Sequence, residues 1–102
     1  MNRNYRDLIG VIQNACIIFL RNKKVEQVIP LSNFLETTIQ KNHYFGKIRK
    51  LYIDGVIGIA LGKGDKGLDT AKKAIEVMNL MDKKYAQNHE LELKYFESIY
   101  EK

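Results

Sequence analysis

The sequence predicts an all-α protein: a stack of two antiparallel helical hairpins closed by a fifth, capping helix. Three observations predict it. Apolar residues recur at three- and four-residue spacing through five segments, and none of these alternates with period two. Polar or glycine-bearing breaks separate the segments. The pattern of the first two segments returns in the next two after about 40 residues, a period typical of stacked helix pairs.

The first helix is expected over about Asn4 to Asn22, where Leu8, Ile12, Ala15, Cys16 and Phe19 form a stripe that Ile9, Ile17 and Leu20 widen. Arg21-Asn22-Lys23-Lys24 ends it, with basic side chains at the negative end of the helix dipole. The second helix is expected over about Lys24 to Lys41, with Val28, Leu31, Phe34, Leu35 and Thr38 on one face. Pro30 removes a backbone donor and crowds the preceding turn, so a start near Pro30 or a kink there is expected. Asn42-His43 reads as the next connection.

The third helix is expected over about Tyr44 to Leu61. Ile48, Leu51, Tyr52, Gly55, Val56 and Ile59 make its main stripe, and Ile53, Ile57 and Ala60 make it apolar nearly all round. Such a helix packs between neighbours. Gly62-Lys63-Gly64-Asp65 supplies a glycine stop and then an aspartate suited to cap the fourth helix. That helix is expected over about Lys66 to Asp82, with Leu68, Ala71, Ala74, Ile75 and Met78 inward. The fifth is expected over about Lys84 to Tyr100, carrying Leu93, Phe96 and Ile99 or Tyr100 on one face.

A chain of 102 residues has room for one domain, and no linker or low-complexity stretch divides residues 1–102. The net charge of +5 is spread along the chain with no run of more than two basic residues, which argues for solvated helix faces over a nucleic-acid footprint. No apolar run approaches the roughly 20 residues that span a bilayer, and no signal peptide is evident. A cytoplasmic protein with no membrane partner is expected. The single cysteine, Cys16, lies in an apolar run and reads as a small buried hydrophobe, not a reactive thiol.

Aligned at a shift of about 40 residues, Leu8 falls on Ile48, Ile12 on Tyr52, Cys16 on Val56, Val28 on Leu68 and Leu35 on Ile75. In the second copy Gly55, Gly62, Gly67, Ala71 and Ala74 occupy the small-residue positions of a tetratricopeptide-type repeat, where helices approach closely. The stack is therefore expected to be tetratricopeptide-like.

Nothing in the sequence assembles an active site. Gly62-Lys63-Gly64-Asp65-Lys66-Gly67 follows a helix, not a strand, and lacks a GK[ST] motif, so it reads as a turn. His43 and His89 lie in a connection and near a helix start, without a third ligand at metal spacing, and read as solvated. Neither an enzyme, a metal site nor a cofactor is expected.

The stretch from Lys47 to Met78 resembles the C-terminal domain of the Rgg/GadR/MutR transcriptional regulators. The resemblance rests on a glycine inside an apolar helix (Gly55), the Gly62-x-Gly64-Asp65 turn, Gly67 soon after it, and the Ala71-x-x-Ala74-Ile75 face. The tail from Met81 to Ala86 and the acidic, aromatic helix beyond it are similar to the end of that domain. The resemblance implies a tetratricopeptide-like array that follows a DNA-binding helix-turn-helix, binds short hydrophobic signalling peptides in quorum sensing, and forms a homodimer. No helix-turn-helix is present in these residues, so contact with DNA is expected only through a separate N-terminal domain. In such geometry the first helix of each pair lines the concave face, which brings Ile12, Gln13 and Cys16 beside Arg49, Tyr52, Ile53 and Val56 as the expected peptide contacts. Arg49 would pair with a peptide carboxylate, Gln13 would bond its backbone, and the apolar members would hold its side chains. Leu93, Phe96, Ile99 and Tyr100 are the expected dimer contacts. A purely structural dimerisation scaffold is the alternative, as is a helical bundle of the bacteriocin-immunity type, which needs no repeat.

Overall fold

The computed structural model describes residues 3–39 and 43–100, with side chains from residue 7 onward. Its elements are α1 (Arg3–Arg21), α2 (Val25–Thr38), α3 (Tyr44–Ala60), α4 (Gly64–Met81) and α5 (Lys83–Tyr100). All five expected helices are present within a few residues of their expected ends. Helix α2 stops at Thr38 with Ile39 already extended, short of the expected end at Lys41; residues 40–42 lie outside the described residues.

The helix ends follow from local chemistry. Lys23 at the end of α1 (φ 60°) and Gly62 at the end of α3 (φ 88°) both adopt the left-handed conformation. At each, two backbone N–H groups return to the last carbonyls of the helix: Lys24 to Phe19 and Lys23 to Leu20, then Lys63 to Gly58 and Gly62 to Ile59. This is the Schellman arrangement, which satisfies otherwise orphaned carbonyls. Asp65 was expected to cap α4, but the cap position is Lys63 and Asp65 sits in the first turn, where its charge still complements the dipole. Asp82 is the working cap: its backbone N–H closes α4 on Met78, and its carboxylate accepts the Tyr85 N–H that begins α5. Pro30 lies within α2, which starts five residues earlier. Its missing donor leaves one carbonyl unpaired, near the helix start and on an exposed face that water reaches.

The helices form two layers. Helix α1 packs on α2 and α3, α3 packs on all four others, and α5 packs on α4 and α3. An inner row of α1, α3 and α5 is thereby backed by α2 and α4, and the molecule measures 44 × 29 × 19 Å. The central place of α3 explains why its sequence is apolar nearly all round.

The repeat is real, but its register is 39 residues, the spacing of the two left-handed caps at Lys23 and Gly62. At this shift buried residues fall on buried residues: Gln13 on Tyr52, Cys16 on Gly55, Ile17 on Val56, Leu20 on Ile59, Val28 on Gly67, Ser32 on Ala71 and Leu35 on Ala74. The apolar pattern tolerates the one-residue error because a core-facing stripe is about 100° wide.

The two hairpins close differently. A Cβ on Gly55 would lie 2.6 Å from the Ala71 nitrogen, and one on Gly67 would lie 2.5 Å from the Gly55 carbonyl oxygen. Helices α3 and α4 thus touch backbone to backbone, as the small-residue pattern predicts. The equivalent seam between α1 and α2 carries Cys16, Val28 and Ser32. Between hairpins, the Ser32 hydroxyl donates to Asp54 at 2.7 Å, while Lys50 bridges Asp54 and Glu36 at 2.6 and 2.9 Å.

Candidate functional site

The inner row α1, α3 and α5 positions the polar groups that are not spent on helix ends. Glu92, on α5, receives two donors at once: the Tyr52 hydroxyl from α3 at 2.8 Å and the Arg21 Nη2 from α1 at 2.7 Å. The Glu92 side chain is only 15% exposed, so this charge-assisted junction ties all three inner helices together. Burial, and next the Glu92 charge, push the Tyr52 phenol far above its usual range, so it stays a donor at any physiological pH. At the far end of α5 the Tyr100 hydroxyl donates to the Leu20 carbonyl at 2.6 Å, closing α5 onto the end of α1.

An aromatic row runs beside this junction. The Phe45 and Tyr85 rings lie 4.9 Å apart, Tyr85 and His89 4.4 Å, and His89 and Tyr52 4.8 Å, the last pair edge to face. His89 Nδ1 lies 2.9 Å from the Tyr85 carbonyl. A carbonyl only accepts, so Nδ1 carries the proton and Nε2 is the bare nitrogen of the neutral ring. His89 was expected to be solvated, yet it is buried. Its spacing from Ala86, Leu93 and Phe96 places it on the α5 core stripe, a signal the sequence contains.

Burial holds the His89 imidazole below its ordinary value, outweighing the Tyr85 carbonyl that favours the proton. The ordinary value is about 6.5. Below it the unfolded chain binds more protons than the folded one, so stability rises with pH. The melting temperature is therefore expected to fall as pH drops below about 6.5, until folded His89 is itself protonated. His89→Gln should flatten that slope, which thermal melts followed by circular dichroism from neutral to mildly acidic pH will show.

The expected peptide contacts separate into two groups. Cys16, Tyr52, Ile53 and Val56 have no exposed surface, and Gln13 is 3% exposed with its Nε2 donating to the Gly46 carbonyl at 3.0 Å. They form the core between the layers, because the apolar stripe used to select them is the stripe that packs. Burial pushes the Cys16 thiol up to about 11, which suits an inert core residue. Only Ile12 and Arg49 keep surface that solvent reaches.

Arg49 lies in a recess of about 410 Å³ between the inner helices, with Arg21, Asn88, His89, Leu91 and Glu92. Its Nη2 donates to Asn14 at 2.7 Å. Its Nε is sealed from solvent with no acceptor, and no carboxylate pairs with it among the described residues. Sequence reasoning reached Arg49 but missed Arg21, His89 and Glu92, which converge only through the packing of α5 on α3. A larger open groove of about 880 Å³ lies between α4 and α5; Lys72, Lys83 and Lys94 alternate there with Glu76, Glu90 and Glu97, so neither sign of charge is favoured.

The expected dimer contacts also turn inward. Leu93 and Phe96 are core residues, 4% and 0% exposed, while Ile99 and Tyr100 pack partly buried against the same core. Leu91 and Tyr95 are the exposed large residues of α5, at 66% and 47%.

Among the described residues no group of three or more His, Cys, Asp or Glu side chains is placed to hold a metal ion, and no helix is long and apolar enough to cross a membrane. No curated protein and no solved structure gives a significant match to the chain. One family model does match, over residues 1–92: the C-terminal domain of the HTH-type transcriptional regulator Rgg. This is a regulatory and not a catalytic family, and the matched part is distinct from its helix-turn-helix. The match spans most of an all-helical chain, and the chain belongs to the Rgg C-terminal domain family.

Proposed function

We propose that this domain is the signal-receiving half of an Rgg-type regulator working in the cytoplasm, and that a short, largely apolar peptide binds on the inner α1–α3–α5 face, as on the concave face of a tetratricopeptide-like array. The observation that carries the reading is the Arg49 recess, where a cation without an acidic partner among the described residues sits beside the exposed apolar Leu91. Apolar surface would hold peptide side chains, and the arginine would fix one end. The buried members of the expected set, Cys16, Tyr52, Ile53 and Val56, support this face from behind, and Ile12 and Arg49 meet the ligand.

Calorimetric titration of the chain with a panel of short apolar peptides carrying free carboxyl ends tests the reading. Saturable binding that Arg49→Gln weakens is the expected result. Absence of both heat and thermal stabilisation across the panel overturns it.

Homodimer assembly is a second reading, favoured by the exposure of Leu91 and Tyr95 on α5 and of Leu80, 85% exposed, at the end of α4. Sedimentation equilibrium separates it from sensing: a dimer that dissociates on Leu91→Glu and binds no peptide supports a scaffold alone.

A further inference from the structure

The recess holds two guanidinium groups and one resident carboxylate. Glu92 neutralises Arg21 at 2.7 Å, whereas among the described residues Arg49 has only the neutral Asn14 amide oxygen. The His89 ring beside them is held neutral by burial and adds no charge at neutral pH. Among the described residues one positive charge is left in excess, on a guanidinium that lines the recess. A guanidinium whose partner is a neutral amide oxygen gains a stronger, charge-assisted contact when an anionic oxygen reaches the part of it that lines the recess.

The second half of the argument is Glu92. Its two oxygens are held by Tyr52 and Arg21, one on each, so the carboxylate cannot swing out of the recess without breaking both bonds. Any anion that reaches Arg49 therefore meets a fixed negative charge nearby. A single charge is matched by Arg49; a second charge has no cation left to match it and is repelled by Glu92.

Building on the peptide-sensing reading, we propose that the recess takes the single carboxylate of a peptide C terminus on Arg49, and that Glu92 is the residue that restricts it to a monoanion and excludes dianions. Glu92 is thus a specificity-determining residue: it repels the wrong ligand while keeping Arg21 from competing for the right one.

Nuclear magnetic resonance of the arginine Nε–H groups in the 102-residue chain tests this directly. The probes are N-acetyl-leucine, N-acetyl-leucine amide and sulfate, which is a dianion throughout the working pH range. N-acetyl-leucine is expected to shift the Arg49 signal saturably, at least about tenfold more tightly than its amide, the factor lost with one charge-assisted contact. Sulfate is expected to leave that signal in place in the wild type and to shift it in Glu92→Gln. Equal effects of acid and amide, or a wild-type response to sulfate as strong as that to N-acetyl-leucine, overturn the proposal. The wild-type comparison decides the point even where Glu92→Gln does not fold, and a thermal melt of that variant shows whether it does. If peptides bind while N-acetyl-leucine leaves Arg49 unmoved, sensing stands and the carboxylate site falls. If N-acetyl-leucine binds Arg49 and no peptide of the panel binds, the anion site stands and the sensing reading falls.

Discussion

Gly67→Ala is expected to destabilise the protein by about 2 kcal/mol net, although alanine is the better helix former. In an open helical position the exchange stabilises by up to about 1 kcal/mol, through a smaller loss of backbone freedom. Here the new methyl would lie 2.5 Å from the Gly55 carbonyl oxygen, 2.6 Å from the Ile59 nitrogen and 2.9 Å from the Gly58 carbonyl carbon. All three are backbone atoms of α3, so no side chain can turn aside. The two helices must move apart, and overpacking of this kind costs about 3 kcal/mol. For a domain of this size that net loss lowers the melting temperature by roughly 10 °C. Gly10→Ala is the control: a Cβ there meets nothing within 4 Å, so the same exchange should raise the melting temperature slightly. Thermal melts of the two variants should move in opposite directions. A Gly67→Ala protein as stable as the wild type would show that α3 and α4 do not approach as closely as described.

The same glycines show what a sequence makes legible. Gly55, Gly67, Ala71 and Ala74 fall at helical spacing on two neighbouring segments, and small residues so placed have an evident use in letting backbones touch. The architecture followed from local rules of that kind: stripes, glycine stops and a repeat. What stayed hidden depended on side-chain convergence between elements distant in sequence. Glu92 is an acid flanked by leucines on an otherwise polar helix, and nothing local says that a tyrosine 40 residues earlier and an arginine 71 residues earlier will both donate to it. Tetratricopeptide geometry puts the expected contact residues on the first helices of the pairs at mostly apolar positions, and such positions face the second layer. Arg49 escaped this bias because a charge on a core-facing helix stands out as a group that needs a partner. His89 was misread because its ring was judged by its polarity and not by its spacing from Ala86, Leu93 and Phe96.

Phe96→Ala is expected to destabilise the protein by about 3–5 kcal/mol, and the loss should belong to the monomer. The ring is fully buried in the shared core. Removing it deletes its transfer free energy and leaves a cavity that the fixed inner helices cannot close, since Tyr52–Glu92–Arg21 and Tyr100–Leu20 hold α5 in place. Set against the roughly 5–15 kcal/mol by which domains are stable, this leaves a protein near the edge of unfolding at body temperature. Had Phe96 been a contact between two copies, its truncation would change the mass in solution and leave a dissociated monomer folded. With the ring inside, the melting temperature should fall by roughly 15 °C or more at every protein concentration, and dilution should not alter the difference from wild type. Tyr95→Ala, one residue away and 47% exposed, should stay within about 0.5 kcal/mol of wild type. A concentration-dependent Phe96→Ala melt would return this residue to an interface. A concentration-independent loss, together with a silent Tyr95→Ala, identifies α5 as the helix that completes the protein's own core and leaves Leu91 and Tyr95 as the surface it presents to others.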